Sequence, residues 1–229
     1  MFFLAPVQGL GVLSNSLTPD SLDAEIENLI TTESPPELKY VLSKKYEDTL
    51  GFEYKKKSDL KSFLDNPNYT PREQAYLYSY LKHLGKPEDS FGVDGLENAI
   101  KRLSKVREPN EATFALNQME LLSAYQKYAG NLETLISVSN IIGAVKDGNQ
   151  LFFIVPYDIV GNTAEMKRLL GKIATARKKH DAKEVKLWIT GKATKGFVSE
   201  AKSRGIKTNQ NILQLPYFTR KENEIQKNS

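Results

Sequence analysis

The continuous apolar run at residues 151–155 (LFFIV) constrains the fold of this chain more than any other stretch. A strand whose residues do not alternate between apolar and polar must be buried on both faces, so this run predicts a central strand. Pro156 ends the strand because proline has no N–H group to donate to a neighbouring strand. Residues 134–145 are rich in β-branched side chains, and residues 146–149 (KDGN) have the composition of a turn. The sequence therefore predicts two antiparallel strands joined by that turn.

The rest of the C-terminal half alternates between helical and strand patterns. Asn162 is a suitable helix cap, and the helix that it starts is predicted to end near Lys179. A strand at residues 185–190, a helix at 194–204 and a strand at 206–213 follow. Because parallel strands are connected by right-handed crossovers, this order predicts an α/β fold, α+β overall, with a mixed sheet flanked by helices.

Residues 20–108 have the periodicity of several short amphipathic helices, which predicts a helical region before the sheet. The clearest helix start is at residues 70–73 (TPRE), where threonine caps, proline occupies the first helical position and glutamate follows three residues after the threonine. Residues 1–19 show no period and predict a flexible arm, and residues 219–229 predict a disordered tail. The α/β domain is therefore expected over residues 109–218.

Positive charge is concentrated towards the C-terminus. The net charge is +4, and residues 158–229 alone hold 16 Lys or Arg and 7 Asp or Glu. The helix predicted after Asn162 has apolar residues at helical spacing, so its Lys and Arg side chains should project outwards. Such cations bind phosphates without sequence preference, which predicts a nucleic-acid interface. The expected contacts are Lys172, Arg177, Lys178, Lys179, Lys183, Lys192 and Lys195. The alternative is that these residues form only a solvated helix face.

The absence of cysteine excludes disulfides, thiolate-bound zinc and cysteine nucleophiles. Only His83 and His180 could supply an imidazole, and neither lies in a metal-ligand spacing, so no metal site is expected. No basic residue precedes Lys39, which argues against a secretory signal or a transit peptide. No apolar run approaches the roughly 20 residues that cross a bilayer. We therefore expect an intracellular protein without a membrane partner, cytoplasmic by default, with an organelle not excluded.

The order of helices and strands over residues 118–213 resembles the core of the PD-(D/E)xK nuclease superfamily, which has the restriction-endonuclease-like fold. The apolar strand after the turn and residues 201–206 (AKSRGI), which lead into the final strand, carry this resemblance. Active members hold divalent metal ions with an acid on the first strand of a hairpin and an acid-x-lysine on the second. The resemblance implies Asn140 for the first acid and residues 155–157 (VPY) for the acid-x-lysine. Because none of these is a carboxylate or a lysine, the resemblance implies a degenerate member.

The expected function is therefore that of a non-catalytic nuclease-fold protein, an accessory factor that binds nucleic acid through a basic C-terminal surface without a cofactor. One alternative is an active Mg²⁺-dependent nuclease in which other residues rebuild the metal site, namely Glu120, Glu133, Asp158 and Lys167. Another is a protein–protein adaptor whose partner docks on the N-terminal helices. A Rossmann-like α/β protein is the remaining option, although no glycine-rich loop follows a strand and residues 191–194 (GKAT) are too short for a P-loop.

Overall fold

The computed structural model describes residues 24–50, 57–85, 93–129, 131–215 and 218. The arm expected at residues 1–19 and the tail expected at residues 219–229 lie outside these ranges. The described residues form a layer of helices followed by a mixed sheet with helices on both faces, which confirms the predicted α/β fold class. Among them, no helix is both long and apolar enough to cross a membrane.

Six helices precede the sheet in the described ranges. They are α1 (Ala24–Thr32), α2 (Pro35–Leu50), α3 (Lys57–Leu64), α4 (Pro71–Gly85), α5 (Leu96–Leu103) and α6 (Pro109–Ala129). The start of α4 confirms the prediction made from residues 70–73. The Glu73 carboxylate accepts a hydrogen bond from the Thr70 N–H (2.7 Å), and the Thr70 hydroxyl accepts one from the Glu73 N–H (3.2 Å). Each side chain thus satisfies an amide that the helix itself leaves free.

The sheet region contains seven strands and two helices. They are β1 (Leu132–Val138), β2 (Ile141–Lys146), β3 (Gln150–Val155), β4 (Ile159–Val160), α7 (Ala164–Lys179), β5 (Glu184–Ile189), β6 (Lys192–Ala193), α8 (Lys195–Ser203) and β7 (Ile206–Asn209). The main sheet has the order β1-β2-β3-β5-β7, and β3 is its central strand, as the apolar run predicts. The first three strands are antiparallel, whereas β3, β5 and β7 are parallel. β4 and β6 form a separate parallel pair.

The prediction of a single strand at residues 134–145 is wrong, because this stretch folds into a hairpin of β1 and β2. Val138 lies opposite Ile141, and Ser139 and Asn140 connect the two strands. Ser139 has a φ of 58°, in the left-handed region that tight hairpin turns require. Apolar and β-branched residues on both sides of this polar pair produce one unbroken strand pattern, so composition alone does not mark the turn.

Two predicted boundaries also shift. Thr163, and not Asn162, caps α7, because the Thr163 hydroxyl accepts a hydrogen bond from the Met166 N–H (3.2 Å). The last strand ends at Asn209, before the expected end at residue 213. Asn211 has a φ of 52° and turns the chain into a short 3₁₀ helix (Ile212–Gln214). The buried Ile212 then joins the core on the side of the N-terminal helices.

Apolar packing covers both faces of the sheet. One face includes Phe152 and Ile154 and packs with buried side chains from all six N-terminal helices. The opposite face includes Phe153 and Val155 and packs against α7 and α8. The helical layer and the sheet therefore share one core through α6. The first residue of α6, Pro109, is also the first residue of the α/β domain expected from the sequence.

A buried glutamine on α6 fixes this helix to the sheet. The Gln118 amide nitrogen donates to the Ile154 carbonyl (2.7 Å), and its oxygen accepts from the Ile142 N–H (2.8 Å). Direct pairing of β2 with β3 extends only as far as Gly143 opposite Phe153. Gln118 thus satisfies the next backbone groups along the two strands, which burial would otherwise leave without partners.

Candidate nucleic-acid interface

Helix α7 has an apolar face towards the sheet and a basic face towards solvent. Its buried side chains are Met166, Leu169, Leu170, Ile173 and Ala176. Its exposed cations are Lys167, Arg168, Lys172, Lys178 and Lys179. This separation is the one that helical periodicity predicts, since apolar positions three and four residues apart share one face.

The cations predicted to contact phosphate lie in two parts of the fold. Lys172, Lys178 and Lys179 are exposed on α7, and Lys183 follows in the connection to β5. Lys192 on β6 and Lys195 at the start of α8 lie beyond the carboxyl end of β5 and are also exposed. The first group is the one that adjoins further cations from the helical layer.

Arg177 differs from its neighbours because its guanidinium binds the backbone. Its Nε donates to the Ala182 carbonyl (3.1 Å) and its Nη2 to the Lys183 carbonyl (3.0 Å). The guanidinium also fills the space beside Gly205, where an added Cβ would collide with Nη1. Arg177 therefore holds the connection between α7 and β5, and replacing it would alter structure as well as charge.

A basic cleft of about 320 Å³ lies between α5, β1 and the C-terminal end of α7. Its cations are Lys101, Arg102, Lys105 and Lys179. Its remaining lining residues are Asn98, Ile136, Ser137, Ser139 and His180. None of these residues is Asp or Glu, so the local field favours an anion.

Backbone contacts place the basic end of α5 beside β1. Asp94 forms an isolated bridge with Thr134, in which the Leu135 N–H donates to the Asp94 carbonyl (2.7 Å). The Asn98 side chain donates to the Leu135 carbonyl (3.0 Å). At Gly95, the helix cap, φ is 76° and an added Cβ would lie 2.6 Å from the Leu135 oxygen. Only glycine allows this close approach without displacement, so the approach fixes where the cations of α5 lie.

Three cations of the cleft, Lys101, Arg102 and Lys105, are not among those that the sequence predicts. Lys101 lies in the last turn of α5, and Lys105 follows two residues after the helix ends at Leu103. On the other wall, Lys172 extends the positive charge to the rim, because its Nζ donates to the Ser139 hydroxyl (3.0 Å). The cleft therefore combines one predicted group of cations with one that the sequence did not reveal.

Arg102 is the buried cation of the cleft. The residue is 6% exposed, and its Nε is buried without a hydrogen-bond partner among the described residues. It lies near Tyr69, whose pKa is raised by burial, an effect that the positive charge of Arg102 partly offsets. The Tyr69 hydroxyl donates to the Leu103 carbonyl (3.3 Å). In the described part of the chain Arg102 has no ion pair, and a buried guanidinium without one carries a desolvation penalty of several kcal/mol, which a bound anion would reduce.

The residues of the metal-dependent alternative lie apart from one another. Glu120 is buried on α6, and its charge adds to the effect of burial in raising the pKa of Tyr80 on α4. Glu133 lies on β1 and accepts a hydrogen bond from the Gly148 N–H in the β2–β3 turn (2.6 Å).

The other two residues of that alternative are exposed at separate places. Asp158 precedes β4, and Lys167 projects from α7 on the face of the sheet opposite to the helical layer. In the described ranges, no three His, Asp or Glu side chains form a group that could hold a metal ion. Glu120, Glu133 and Asp158 are therefore not brought together.

The positions that the nuclease resemblance implies are held by neutral groups. Asn140 lies in the β1–β2 turn, and Val155 is buried at the end of β3. The buried Tyr157 ring packs against Phe114, with 5.1 Å between ring centroids. Where β2 and β3 separate beside these positions, the Gln118 amide lies between the strands.

A second concave surface lies between α2 and α3. It has a volume of about 430 Å³ and is lined by Pro36, Lys39, Tyr40, Ser43, Glu47, Leu60, Lys61, Leu64 and Asp65. Tyr40 is 66% exposed, and a Lys39–Asp65 ion pair (2.6 Å) lies beside it. This groove is the apolar surface that a protein partner of the adaptor alternative could use.

Comparison of the chain with protein-family models, with curated proteins and with solved structures gave no match. The functional assignment therefore depends on the geometry of the basic cleft and of α7.

Proposed function

We propose that this protein binds nucleic acid without cleaving it, through the basic face of α7 and the adjoining cleft. The observation that carries this proposal is the convergence of Lys101 and Arg102 at the end of α5, Lys105 just after it and Lys179 on α7, with no Asp or Glu among the described residues that line the cleft. The nuclease resemblance supports the same partner, since a degenerate member would keep a nucleic-acid scaffold while lacking metal ligands.

Phosphate recognition needs only accessible cations in the correct spacing. Each phosphate that a lysine or arginine neutralises releases a condensed counterion, so affinity falls as the salt concentration rises. Lys172, Lys178 and Lys179 lie on one exposed helix face and can follow a backbone, whereas Arg102 is enclosed. The exposed lysines therefore supply general affinity without sequence preference.

A fluorescence-anisotropy titration with short single-stranded and duplex DNA and with RNA, at several salt concentrations, tests this function. We expect binding at low salt that weakens steeply as salt rises. The double variant Lys178→Glu with Lys179→Glu should weaken binding about tenfold or more and reduce the salt dependence by roughly two released ions.

The matched control is Lys44→Glu with Lys61→Glu, which reverses two exposed lysines on α2 and α3 and changes the net charge equally. It should bind within about twofold of the wild type, because neither residue adjoins the cleft. Absence of binding at low salt, or equal losses in both double variants, would contradict the proposal.

The groove between α2 and α3 favours the adaptor as a second candidate function. A protein partner of that groove should remain bound after nuclease treatment and should be lost in Tyr40→Ala, since exposed tyrosines are frequent binding anchors. A partner that nuclease treatment releases would instead support nucleic-acid binding.

A further inference from the structure

We infer that the basic cleft is a specific site for a phosphate monoester, with Arg102 as its buried anchor. This inference rests on the proposed function, under which the monoester is the terminal phosphate of a nucleic-acid strand. It assigns the cleft a role different from that of the exposed lysines of α7: the lysines hold the backbone, and the cleft holds the end.

The environment of Arg102 supports this assignment. Its buried Nε has no partner among the described residues. The carboxylates that act on the neighbouring Tyr69, those of Glu73 and Glu111, are engaged elsewhere. Glu73 accepts from the Thr70 N–H (2.7 Å), and Glu111 accepts from the Arg107 N–H (3.0 Å). The Arg102 guanidinium is therefore a donor without an acceptor among the described residues. Its rigid fork of N–H groups matches the oxygens of a phosphate.

The charge balance of the cleft favours a phosphate monoester. Among the described residues, four cations and no carboxylate line the cleft. The C-terminal ends of α5 and α7 contribute roughly half an elementary negative charge each, which leaves a large positive excess. A phosphate monoester carries about −1.5 to −2 at pH 7, compared with −1 for a phosphodiester, so it gains more from this field. The hydroxyl groups of Ser137 and Ser139 provide further donors.

The size of the cleft suits a strand end. The cleft of about 320 Å³ is at the lower end of the range of small-ligand sites, roughly 300–1,000 Å³. It can take one phosphate with its nucleoside, whereas a duplex is too wide to enter. A strand end fits this space, and the adjoining lysines of α7 can contact the following phosphates.

The test compares otherwise identical short single strands that end in a 5′-phosphate, a 3′-phosphate or only hydroxyl groups, by anisotropy competition at fixed salt. The wild type should bind one phosphorylated strand at least about tenfold more tightly than the hydroxyl strand, as expected for charge-assisted bonds to a buried arginine. Arg102→Met should abolish this preference by weakening the phosphorylated strand about tenfold more than the hydroxyl strand, because methionine has no donor for the phosphate oxygens.

Two further variants keep the test decisive if Arg102→Met does not fold. Lys101→Gln with Lys105→Gln alters only exposed side chains and should reduce the preference, whereas Lys44→Gln with Lys61→Gln should not. Arg102→Lys should lose most of the preference, since lysine keeps the charge but not the planar fork.

The outcomes separate this inference from the proposed function. Equal binding of phosphorylated and hydroxyl strands by the wild type overturns the cleft assignment and leaves general nucleic-acid binding in place. If no strand binds, the melting temperature of the protein with and without adenosine monophosphate shows whether the cleft binds phosphate at all. A stabilisation that Arg102→Met removes supports the phosphate site and contradicts the nucleic-acid function, and the absence of stabilisation contradicts both.

Discussion

At the scale of single residues, Tyr157 has the clearest physical signature. It lies where the nuclease resemblance implies a catalytic lysine, yet it is buried against Phe114. Burial, together with the negative charge of Glu165, raises the pKa of Tyr157 to about 12. The phenol is therefore neutral near pH 7 and cannot supply the permanent positive charge of a lysine.

The raised pKa predicts how Tyr157 affects alkaline stability. Because the folded-state pKa of about 12 exceeds the ordinary value near 10, the stabilising contribution is complete below pH 10 and is lost as pH rises towards 12. Between about pH 8 and pH 11, the free energy of unfolding should therefore fall by about 1 kcal/mol less in Tyr157→Phe than in the wild type. Urea unfolding at the two pH values measures this difference.

Other buried tyrosines do not disturb that comparison. Burial also raises the pKa values of Tyr46, Tyr69 and Tyr80, so they destabilise both proteins in the same pH range. Their contributions cancel when the variant is compared with the wild type. An identical pH dependence for the two proteins would show that the Tyr157 hydroxyl is accessible to water.

The sequence predicted some cations of the candidate site and not others. Lys178 and Lys179 could be assigned because helical periodicity separates the two faces of α7. Arg102 could not, since its burial depends on the position of α5 beside β1, which non-local bonds from Asn98 and Asp94 determine. Arg177 looked equivalent to its neighbours because its bonds to the Ala182 and Lys183 carbonyls depend on how the chain turns after the helix.

At the scale of elements, Gln118 connects a helix to two strands where direct strand pairing stops. Gln118→Glu tests this role, since a carboxylate still accepts from the Ile142 N–H but can donate to the Ile154 carbonyl only when protonated. The folded-state pKa of the introduced acid should therefore rise above the unfolded value near 4.3. The stabilising contribution of the introduced acid is present below about pH 4 and is lost as pH increases. At pH 7 the free energy of unfolding of the variant should therefore be about 2–4 kcal/mol below that of the wild type.

Gln118→Met is the control for that experiment. It leaves both backbone groups without a side-chain partner at every pH, so its destabilisation of about 2–5 kcal/mol should not vary between pH 4 and 7. Chemical denaturation of the three proteins across this range gives the comparison. A Gln118→Glu penalty that is constant with pH would mean that water replaces the amide between the strands.

Some strands and turns follow from the sequence pattern, and one hairpin turn does not. The run at residues 151–155 predicted the central strand because double-sided burial leaves a continuous apolar signature. The β1–β2 hairpin was missed because its turn uses Ser139 and Asn140, a pair without glycine, between stretches of equal β propensity. The turn around Asp147 and Gly148 was predicted correctly because both residues have positive φ, and aspartate followed by glycine is a sequence typical of such turns.

At the scale of the whole molecule, the shared core predicts one cooperative unit. Trp188 is the only tryptophan of the chain and packs in the sheet against Tyr125 and Phe152, with ring centroids 5.5 and 5.0 Å away. Its fluorescence therefore reports on the sheet and α6, whereas the circular dichroism near 222 nm reports mainly on the helices. We expect both signals to change at the same urea concentration, as in two-state unfolding. Separate midpoints would show that the helical layer melts independently.

The basic cleft depends on this shared core. One wall comes from α5, and the other comes from β1 and α7, so the site exists only while the helical layer is docked on the sheet. Binding there is thermodynamically linked to that docking, because an anion that prefers the closed arrangement stabilises it by the same free energy. If a phosphorylated strand end occupies the cleft as inferred, its binding free energy also opposes separation of the N-terminal helical layer from the sheet.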